Sequence, residues 1–369
     1  MSFAYVMEQN STVGLESERL VVKKDRAVLH SLLLFKLEQL VLFGNVLLTP
    51  AAVSALLRRE IDTVFLSRSG AYRGRLQPPL GKNISLRREQ FRKLQEGDFC
   101  LSAANSIVCG KIANSRTILL RLNRNRDGLG LEDNILSLRH MGQKAAAAAG
   151  LETLRGFEGR SAVVYFEGFS KGFLAEGVTF RRRVRRPPTD PVNALLSLGY
   201  TLLFNSVMAA VCMAGFDPYL GCLHTVEYGR PSLALDLMEE WRALVVDSLV
   251  LSLFNLRTLT LDDFELRPLG GEDSADDVGD DVGDHSIAAP PGSDPHKGKE
   301  TRRPPTQVKL TADGYRKFIT NFERKMGEKI QYGPTGQQLS YRDCIREQVR
   351  HFARYVRGED DSYRPIHAR

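Results

Sequence analysis

The feature that most constrains the fold is a long apolar segment from Pro191 to Phe216 that contains no charged residue. Its length would suffice to cross a bilayer. The segment is nevertheless interrupted by six polar residues that would need hydrogen-bond partners in lipid, namely Asn193, Ser197, Tyr200, Thr201, Asn205 and Ser206. Neighbouring helices can supply those partners in a protein interior, so the segment is predicted to be a buried central helix rather than a membrane span.

The remainder of the 369-residue chain divides into regions of different periodicity, and its length favours two folded units. Short β-type runs separated by turn signals, from AYVMEQ to YRGRLQ, predict a small β domain over residues 1–84. Helical spacing follows over 85–267 and resumes over 306–369. Residues 268–305 combine acids, Gly, Ser and Pro with few large apolar side chains, and are predicted to be a disordered surface insertion.

Three helix starts can be located from capping residues. Thr49 and Pro50 are typical of the N-cap and first position of a helix through AAVSALLRRE. Asp190 is expected to cap the apolar helix that begins at Pro191. Ser232 is expected to cap a further helix that runs through LALDLMEEWRALVVDSLVLSLF.

The charge distribution suits a polyanionic partner. The net charge is +7, and it would double without an acidic stretch made up of Glu272, Asp273, Asp276, Asp277, Asp280, Asp281 and Asp284. Lysines and arginines that neutralise phosphates gain affinity by releasing condensed counterions. Ordinary surface charge for solubility explains the excess equally well.

Cysteine usage and the N-terminal sequence bear on the compartment. The cysteines form an odd set without paired spacing, at Cys100, Cys109, Cys212, Cys222 and Cys344. This pattern argues against a disulfide framework and against a thiolate zinc site. The opening MSFAYVMEQN lacks the basic segment and apolar run of a secretion signal, so a cytoplasmic protein is predicted.

Candidate metal ligands occur in PYLGCLHTVEYGRPSLALDLMEEWR. His224 precedes a turn, and Asp236 and Glu239 lie three residues apart on the following helix, hence on one face. An imidazole with carboxylates suits Mg²⁺ or Mn²⁺ with open positions for phosphate oxygens, although the mixture also permits zinc or iron. The alternative is that the acids are displayed to solvent and that the histidine is a packed residue.

A further carboxylate, Glu158, lies in LRGFEGRSAVVYFEGF on a segment that is otherwise apolar on one side. A buried carboxylate needs a partner, and Arg155 is one candidate. The residue pattern alone therefore favours a salt-bridged helix residue over a ligand.

Two basic features are candidates for DNA contact. Four arginines, Arg342, Arg346, Arg350 and Arg354, recur at four-residue intervals along the last helix, opposite an apolar stripe that includes Ile345. The alternative is a solvated face paired with Asp343 and Glu347. The basic run from Arg181 to Arg186 is a second candidate with the same two interpretations.

Several blocks of the sequence resemble, in order, the CRISPR-associated adaptation integrase family. They include KLEQLVLFGNVLLT, IDTVFLSRSGAYRGRL, LRGFEGRSAVVYFEGF, RRPPTDPVNALLSLGY, GFDPYLGCLHTVEYGRPSLALDLMEEWR and SYRDCIREQVRHFARYVRGEDDSYRPI. The resemblance spans nearly the whole chain except the insertion. It implies an α+β protein in which an N-terminal β-sandwich-like domain is followed by a larger all-α catalytic domain.

The resemblance also implies a site and a reaction. The family's metal, Mg²⁺ or Mn²⁺, is held by a Glu, a His and a third carboxylate, which correspond to Glu158, His224 and Glu239. Asp236 corresponds to another acid near the site and is a further candidate ligand. The implied reaction inserts short DNA fragments into a repeat array by attack of a fragment 3′-hydroxyl on a phosphodiester.

The implied partners are double-stranded DNA, a second copy of the chain, and a small ferredoxin-like adaptation protein that bridges two homodimers. Two other functions remain open from the sequence. One is a stand-alone metal-dependent nuclease that acts on branched DNA, and the other is a DNA-binding scaffold without catalytic activity.

Overall fold

The computed structural model describes residues 2–77, 83–126, 128–184, 187–268 and 306–367. These form two compact units, one from residues 2–77 and one from residues 83–268 with 306–367. Strands make up the first unit and helices dominate the second, which confirms the predicted fold class. The predicted insertion over 268–305 lies outside the described residues except for Pro268.

The first unit contains two four-stranded sheets. Their strands are β1 (Ser2–Val6), β2 (Ser11–Glu16), β3 (Arg19–Lys24), β4 (Ala27–Leu33), β5 (Leu37–Phe43), β6 (Val46–Leu48), β7 (Asp62–Leu66) and β8 (Tyr72–Leu76). One sheet has the order β1-β5-β7-β8 and the other β4-β3-β2-β6. The sequence did not predict β2 and β4. Strand β4 is exposed at its first five residues and so lacks the alternation that marks a half-buried strand.

Both sheets contribute to one apolar core, which helix α1 (Pro50–Arg58) completes. Leu40 and Leu42 of β5 share this core with Val13 of β2, and Leu56 of α1 is fully buried in it. The Thr49 hydroxyl accepts a hydrogen bond from the backbone N–H of Ala52 at 3.3 Å. The predicted N-cap and start of this helix are therefore confirmed.

The second unit is built mainly from helices. They are α2 (Ile84–Leu94), α3 (Gly97–Asn125), α4 (Glu132–Ala146), α5 (Leu151–Ser170), α6 (Pro191–Ala214), α7 (Ser232–Met238), α8 (Ser248–Asn255), α9 (Ala312–Gly327) and α10 (Tyr341–Arg357). Two small hairpins depart from the predicted all-helical domain, namely β9 (Phe264–Pro268) with β10 (Thr306–Leu310) and β11 (Lys329–Gln331) with β12 (Gln338–Ser340). Strands β11 and β12, with three residues each, are too short to show a period of two.

Helix α6 is long and apolar enough to cross a membrane, but 67% of its most apolar window is buried in the protein. The prediction of a buried helix is thus confirmed, and Asp190 caps it by accepting a hydrogen bond from the N–H of Asn193. Asn193, Ser197 and Tyr200 bond to residues of other segments, as expected. Thr201, Asn205 and Ser206 bond to carbonyls one turn earlier in their own helix.

The predicted helix from Ser232 is interrupted. Helix α7 ends at Met238, and a wider π-helical turn from Arg242 to Asp247 leads into α8. Contrary to the prediction, Ser232 does not cap α7 but is its first residue, and its hydroxyl donates to the carbonyl of Thr225 at 3.1 Å. π-helical turns are rare and often lie at functional sites.

Asp247 ends this π-helical turn inside the core of the helical unit. The hydroxyls of Tyr165 and Tyr200 donate hydrogen bonds to its two oxygens at 2.8 and 2.6 Å. Burial raises the pKa of Asp247 to about 6, although these two hydrogen bonds oppose the shift. The carboxyl therefore binds its proton more tightly in the folded protein than in the unfolded chain.

The free energy of unfolding is expected to depend on pH because of this raised pKa. The stabilisation from the raised pKa is complete below about pH 3.8 and is lost as the pH rises through about 6. The loss amounts to about 3 kcal/mol. Asp247→Asn cannot exchange the proton. In urea titrations from pH 4 to pH 7, the free energy of unfolding of the variant should therefore rise by about this amount relative to that of wild type. The exposed Asp133→Asn should run parallel to wild type, and parallel profiles for both variants would contradict the prediction.

Candidate metal centre

Two of the predicted ligands, Glu158 and Glu239, contact the same positively charged side chain, that of Lys111. Glu158 lies on α5 and Glu239 follows the end of α7, and both are buried. The ammonium group of Lys111, from α3, forms an ion pair with Glu158 and lies 2.6 Å from Oε2 of Glu239. Three separate helical segments therefore place two carboxylates around a single cation.

His224 and Asp236 form the second pair of the site. Nδ1 of His224 lies 2.6 Å from Oδ1 of Asp236. The same carboxylate accepts backbone hydrogen bonds from Cys222, Leu223 and His224 at 2.6, 2.9 and 3.0 Å. Asp236 thus folds the loop that carries His224 and orients the imidazole, so its oxygens are engaged by the protein itself.

The charge of Asp236 is maintained by these contacts. Burial alone would raise the pKa of Asp236, but the hydrogen bond and charge of His224 together with the N–H groups of Leu223 and Cys222 hold it below its ordinary value. A carboxylate can only accept hydrogen bonds, so it selects the tautomer in which Nδ1 of His224 carries the proton. When the imidazole is neutral, Nε2 is then the ring nitrogen with a lone pair for a metal or a proton.

Arginines brace the two carboxylate-bearing segments. Nε of Arg242 donates to Oε1 of Glu239 at 3.0 Å, and its guanidinium lies 4.7 Å from the ring centroid of Tyr200. Arg155, the partner considered for Glu158 from sequence, pairs with Glu152 and donates to the carbonyl of Leu223 at 2.8 Å. Glu158 forms an ion pair with Lys111 of α3, a residue that the local sequence pattern around Glu158 does not indicate.

A C-terminal segment packs directly behind Glu239. The buried carboxyl of Glu240 accepts hydrogen bonds from the hydroxyl of Tyr363 and, at 2.6 Å, from the N–H of Ile366. Asn114, one turn beyond Lys111 on α3, donates to the carbonyls of both Glu240 and Ile366 at 2.9 and 2.8 Å. Burial raises the pKa of Glu240 to about 8, although the hydrogen bonds from Tyr363 and Ile366 oppose the shift. The raised pKa favours a neutral carboxyl.

The residues fit a cation in their donor chemistry, although the side chains are arranged around Lys111. Among the described residues, no three His, Cys, Asp or Glu side chains form a group close enough to hold a metal ion. Within that same part of the chain, Oε2 of Glu239 is buried and accepts no hydrogen bond, so Lys111 neutralises it by charge alone. Hard carboxylate oxygens of this kind are the ligands that Mg²⁺ and Mn²⁺ prefer.

The four arginines of α10 all have carboxylate partners. Arg342 forms a two-pronged contact with Glu323 of α9, and Arg354 pairs with Asp360 beyond the helix. Arg346 and Arg350 pair with Asp343 and Glu347, one turn earlier on their own helix. This is the pairing expected for a solvated face, and phosphate contact by these residues stays a prediction.

The basic run before α6 is only partly described, because Arg185 and Arg186 lie outside the described residues. Arg183 donates to the side chains of Asn193 and Ser197, both at 3.0 Å, and its guanidinium lies 5.4 Å from the ring centroid of Tyr200. It therefore braces α6.

Comparisons with known proteins identify relatives of the whole chain. Residues 4–271 match the family described as CRISPR associated protein Cas1. The chain is 35% identical to "CRISPR-associated endonuclease Cas1 3" of Thermus thermophilus, over 99% of this chain and 97% of the relative.

Solved structures agree with that match at the level of the fold. A "Cas6-RT-Cas1--Cas2 complex" is 23% identical with a TM-score of 0.79, over 100% of this chain and 36% of the other. A "Casposase bound to integration product" is 18% identical with a TM-score of 0.78, over 100% of this chain and 95% of the other. From the match over most of its length, the chain belongs to the Cas1 family of CRISPR-associated proteins.

Proposed function

We propose that this chain is a metal-dependent DNA integrase and endonuclease. It inserts short DNA fragments into a CRISPR repeat array by attack of a fragment 3′-hydroxyl on a phosphodiester. The observation that carries the proposal is the convergence of Glu158 and Glu239 on one positive charge, in a chain that belongs to the Cas1 family.

Each residue has a distinct role in this proposal. Glu158, Glu239 and His224 would hold Mg²⁺ or Mn²⁺. As an alternative to ligation, His224 would receive the proton of the attacking hydroxyl. Asp236, which the family resemblance makes a candidate ligand, orients His224. The bound cation would lower the pKa of the attacking hydroxyl and neutralise developing charge on the phosphate. Arg242 keeps the Glu239 carboxylate in place from the opposite side.

The proposed partners are double-stranded DNA, a second copy of the chain and a small ferredoxin-like adaptation protein that bridges two dimers. A structural relative was solved as a complex of Cas1 with Cas2, and another was solved on an integration product. These two relatives support a DNA-joining assembly as the working form of this chain. The excess of basic residues agrees with a polyanionic substrate.

The proposal is tested with the purified protein, the adaptation partner, a labelled fragment with a 3′-hydroxyl and a repeat-containing duplex. A joined product that forms with Mg²⁺ or Mn²⁺ and disappears in excess EDTA is expected. Cutting of branched DNA without joining would support the stand-alone nuclease instead. DNA binding without either reaction would support the scaffold.

DNA binding is expected to depend on Arg346 and Arg350, since their carboxylate partners lie on their own helix and can be exchanged for phosphate. Replacing both with alanine should weaken binding to DNA of any sequence. It should also reduce the magnitude of the slope of log K against log salt concentration by about 2. Fluorescence anisotropy over a salt series measures this slope. Arg92→Ala is the matched control, because Arg92 is also exposed and paired with carboxylates one turn away. An unchanged slope in the double variant would show that this face of α10 is merely solvated.

A further inference from the structure

Lys111 is an unusual residue for its position on α3. Its side chain is only 10% exposed, and it lies among the buried apolar residues of a 29-residue helix. A buried ammonium is strongly unfavourable unless opposite charges compensate it. Lys111 obtains this compensation from Glu158 and Glu239, the same two carboxylates that are proposed to hold the metal.

Both carboxylates already have cationic partners in the protein. Two carboxylates face the ammonium of Lys111 and the guanidinium of Arg242, whose Nε lies 3.0 Å from Oε1 of Glu239. A divalent cation bound between Glu158 and Glu239 would lie within contact distance of the Lys111 ammonium. Two such positive charges repel strongly in a buried, low-dielectric setting. The ammonium and the metal therefore compete for one place.

We propose that Lys111 is the counter-cation of the metal-free site, an inference that rests on the proposed metal role of Glu158 and Glu239. In the absence of metal it neutralises the two carboxylates and keeps them converged. When the metal binds, the ammonium withdraws from between them. Lys111 is thus a positioning residue that stabilises the empty site and weakens its affinity for metal.

The two effects have opposite signs, which separates this role from a purely structural one. A lysine that only supports the fold would, when removed, loosen the site and weaken metal binding. A lysine that competes with the metal would, when removed, destabilise the metal-free protein and strengthen metal binding. Lys111→Met keeps the length and packing of the side chain and removes the charge.

The test uses Mn²⁺ alone, without DNA, at pH 8, with free Mn²⁺ measured by electron paramagnetic resonance. Lys111→Met should bind Mn²⁺ roughly tenfold more tightly than wild type. In EDTA the melting temperature of Lys111→Met should be lower than that of wild type, and Mn²⁺ should raise the melting temperature of the variant by more than it raises that of wild type. Lys111→Gln should change the Mn²⁺ affinity and the melting temperature in the same directions as Lys111→Met. Lys111→Arg, which keeps the positive charge, should have values close to those of wild type.

Lys325→Met is the matched control, since Lys325 is also a helical lysine paired with a glutamate, Glu328, and its side chain is 16% exposed. It should leave Mn²⁺ affinity unchanged. Equal or weaker Mn²⁺ binding by Lys111→Met and Lys111→Gln would overturn the inference and leave the metal site standing. Absence of Mn²⁺ binding by wild type and Lys111→Met alike, or Glu158→Gln that binds it as well as wild type, would overturn the proposed metal site and this inference with it.

Discussion

Glu158→Gln, Glu239→Gln and His224→Ala are each expected to lower the rate of fragment joining by at least about 1000-fold, or about 4 kcal/mol in the transition state. Glutamine keeps the size of the side chain but removes the charge that binds a cation. Binding to duplex DNA should stay within about twofold of wild type, because phosphate contacts rest on basic surface residues. The strand-transfer assay with the adaptation partner and an anisotropy titration measure the two quantities side by side.

Glu152→Gln is the control for this series. Glu152 lies on the same helix as Glu158, but its side chain is 88% exposed and pairs with Arg155. It should join fragments at the wild-type rate. Joining by Glu158→Gln or His224→Ala at rates near wild type would falsify the assignment of the site and favour the scaffold.

Asp236→Asn is expected to have the second largest effect, by a different route. The asparagine can no longer accept the three backbone N–H groups of residues 222–224 and the proton of the His224 ring together. Buried donors left without acceptors should lower the free energy of unfolding by about 3 kcal/mol. Misorientation of His224 should lower joining by about 100-fold, as is typical when a residue that orients a metal-binding histidine is lost.

Hydrogen exchange and Mn²⁺ affinity distinguish this orienting role from direct ligation. The amides of Cys222, Leu223 and His224 should exchange faster in the variant, and Mn²⁺ binding should weaken less than in Glu239→Gln. Asp217→Asn is a suitable control, because Asp217 also accepts a loop N–H, from Tyr219 at 2.9 Å. A loss of Mn²⁺ affinity equal to that of Glu239→Gln, with unchanged amide exchange, would instead make Asp236 a ligand.

The sequence predicted the fold where local signals were strong. The caps at Thr49 and Asp190 were recognisable because Pro follows each of them, and α6 was recognisable because it is apolar on all sides. Strand β4 was missed because it is an exposed edge strand without alternation. The π-helical turn after Trp241 was missed because the helical spacing of the sequence continues through it.

Family resemblance selected the candidate ligands Glu158, His224 and Glu239, and their role in metal binding stays a prediction. Spacing alone left Asp236 and Glu239 equivalent, because their roles depend on which segment each carboxylate meets in the fold. Lys111 did leave a signal in the sequence. It occupies the buried face of α3 with Ile107, Val108 and Ile118, and a lysine at such a helical position requires a buried carboxylate partner. That partner comes from α5 and the segment after α7, which the sequence of α3 cannot identify.

The anchoring of Glu240 by Tyr363 and Ile366 has a consequence for synthesis of the protein. Asn114 binds the carbonyl of Ile366 across 252 positions of the chain, so a structural element behind Glu239 is translated long after α3 and α7. A ribosome-bound chain can form the two sheets of the β unit early, since their strands and α1 all lie within residues 2–77. The packing behind Glu239 must therefore wait for residues 363–366 to be synthesised and to dock. A site assembled in this order stays incomplete through most of the synthesis of its own helices.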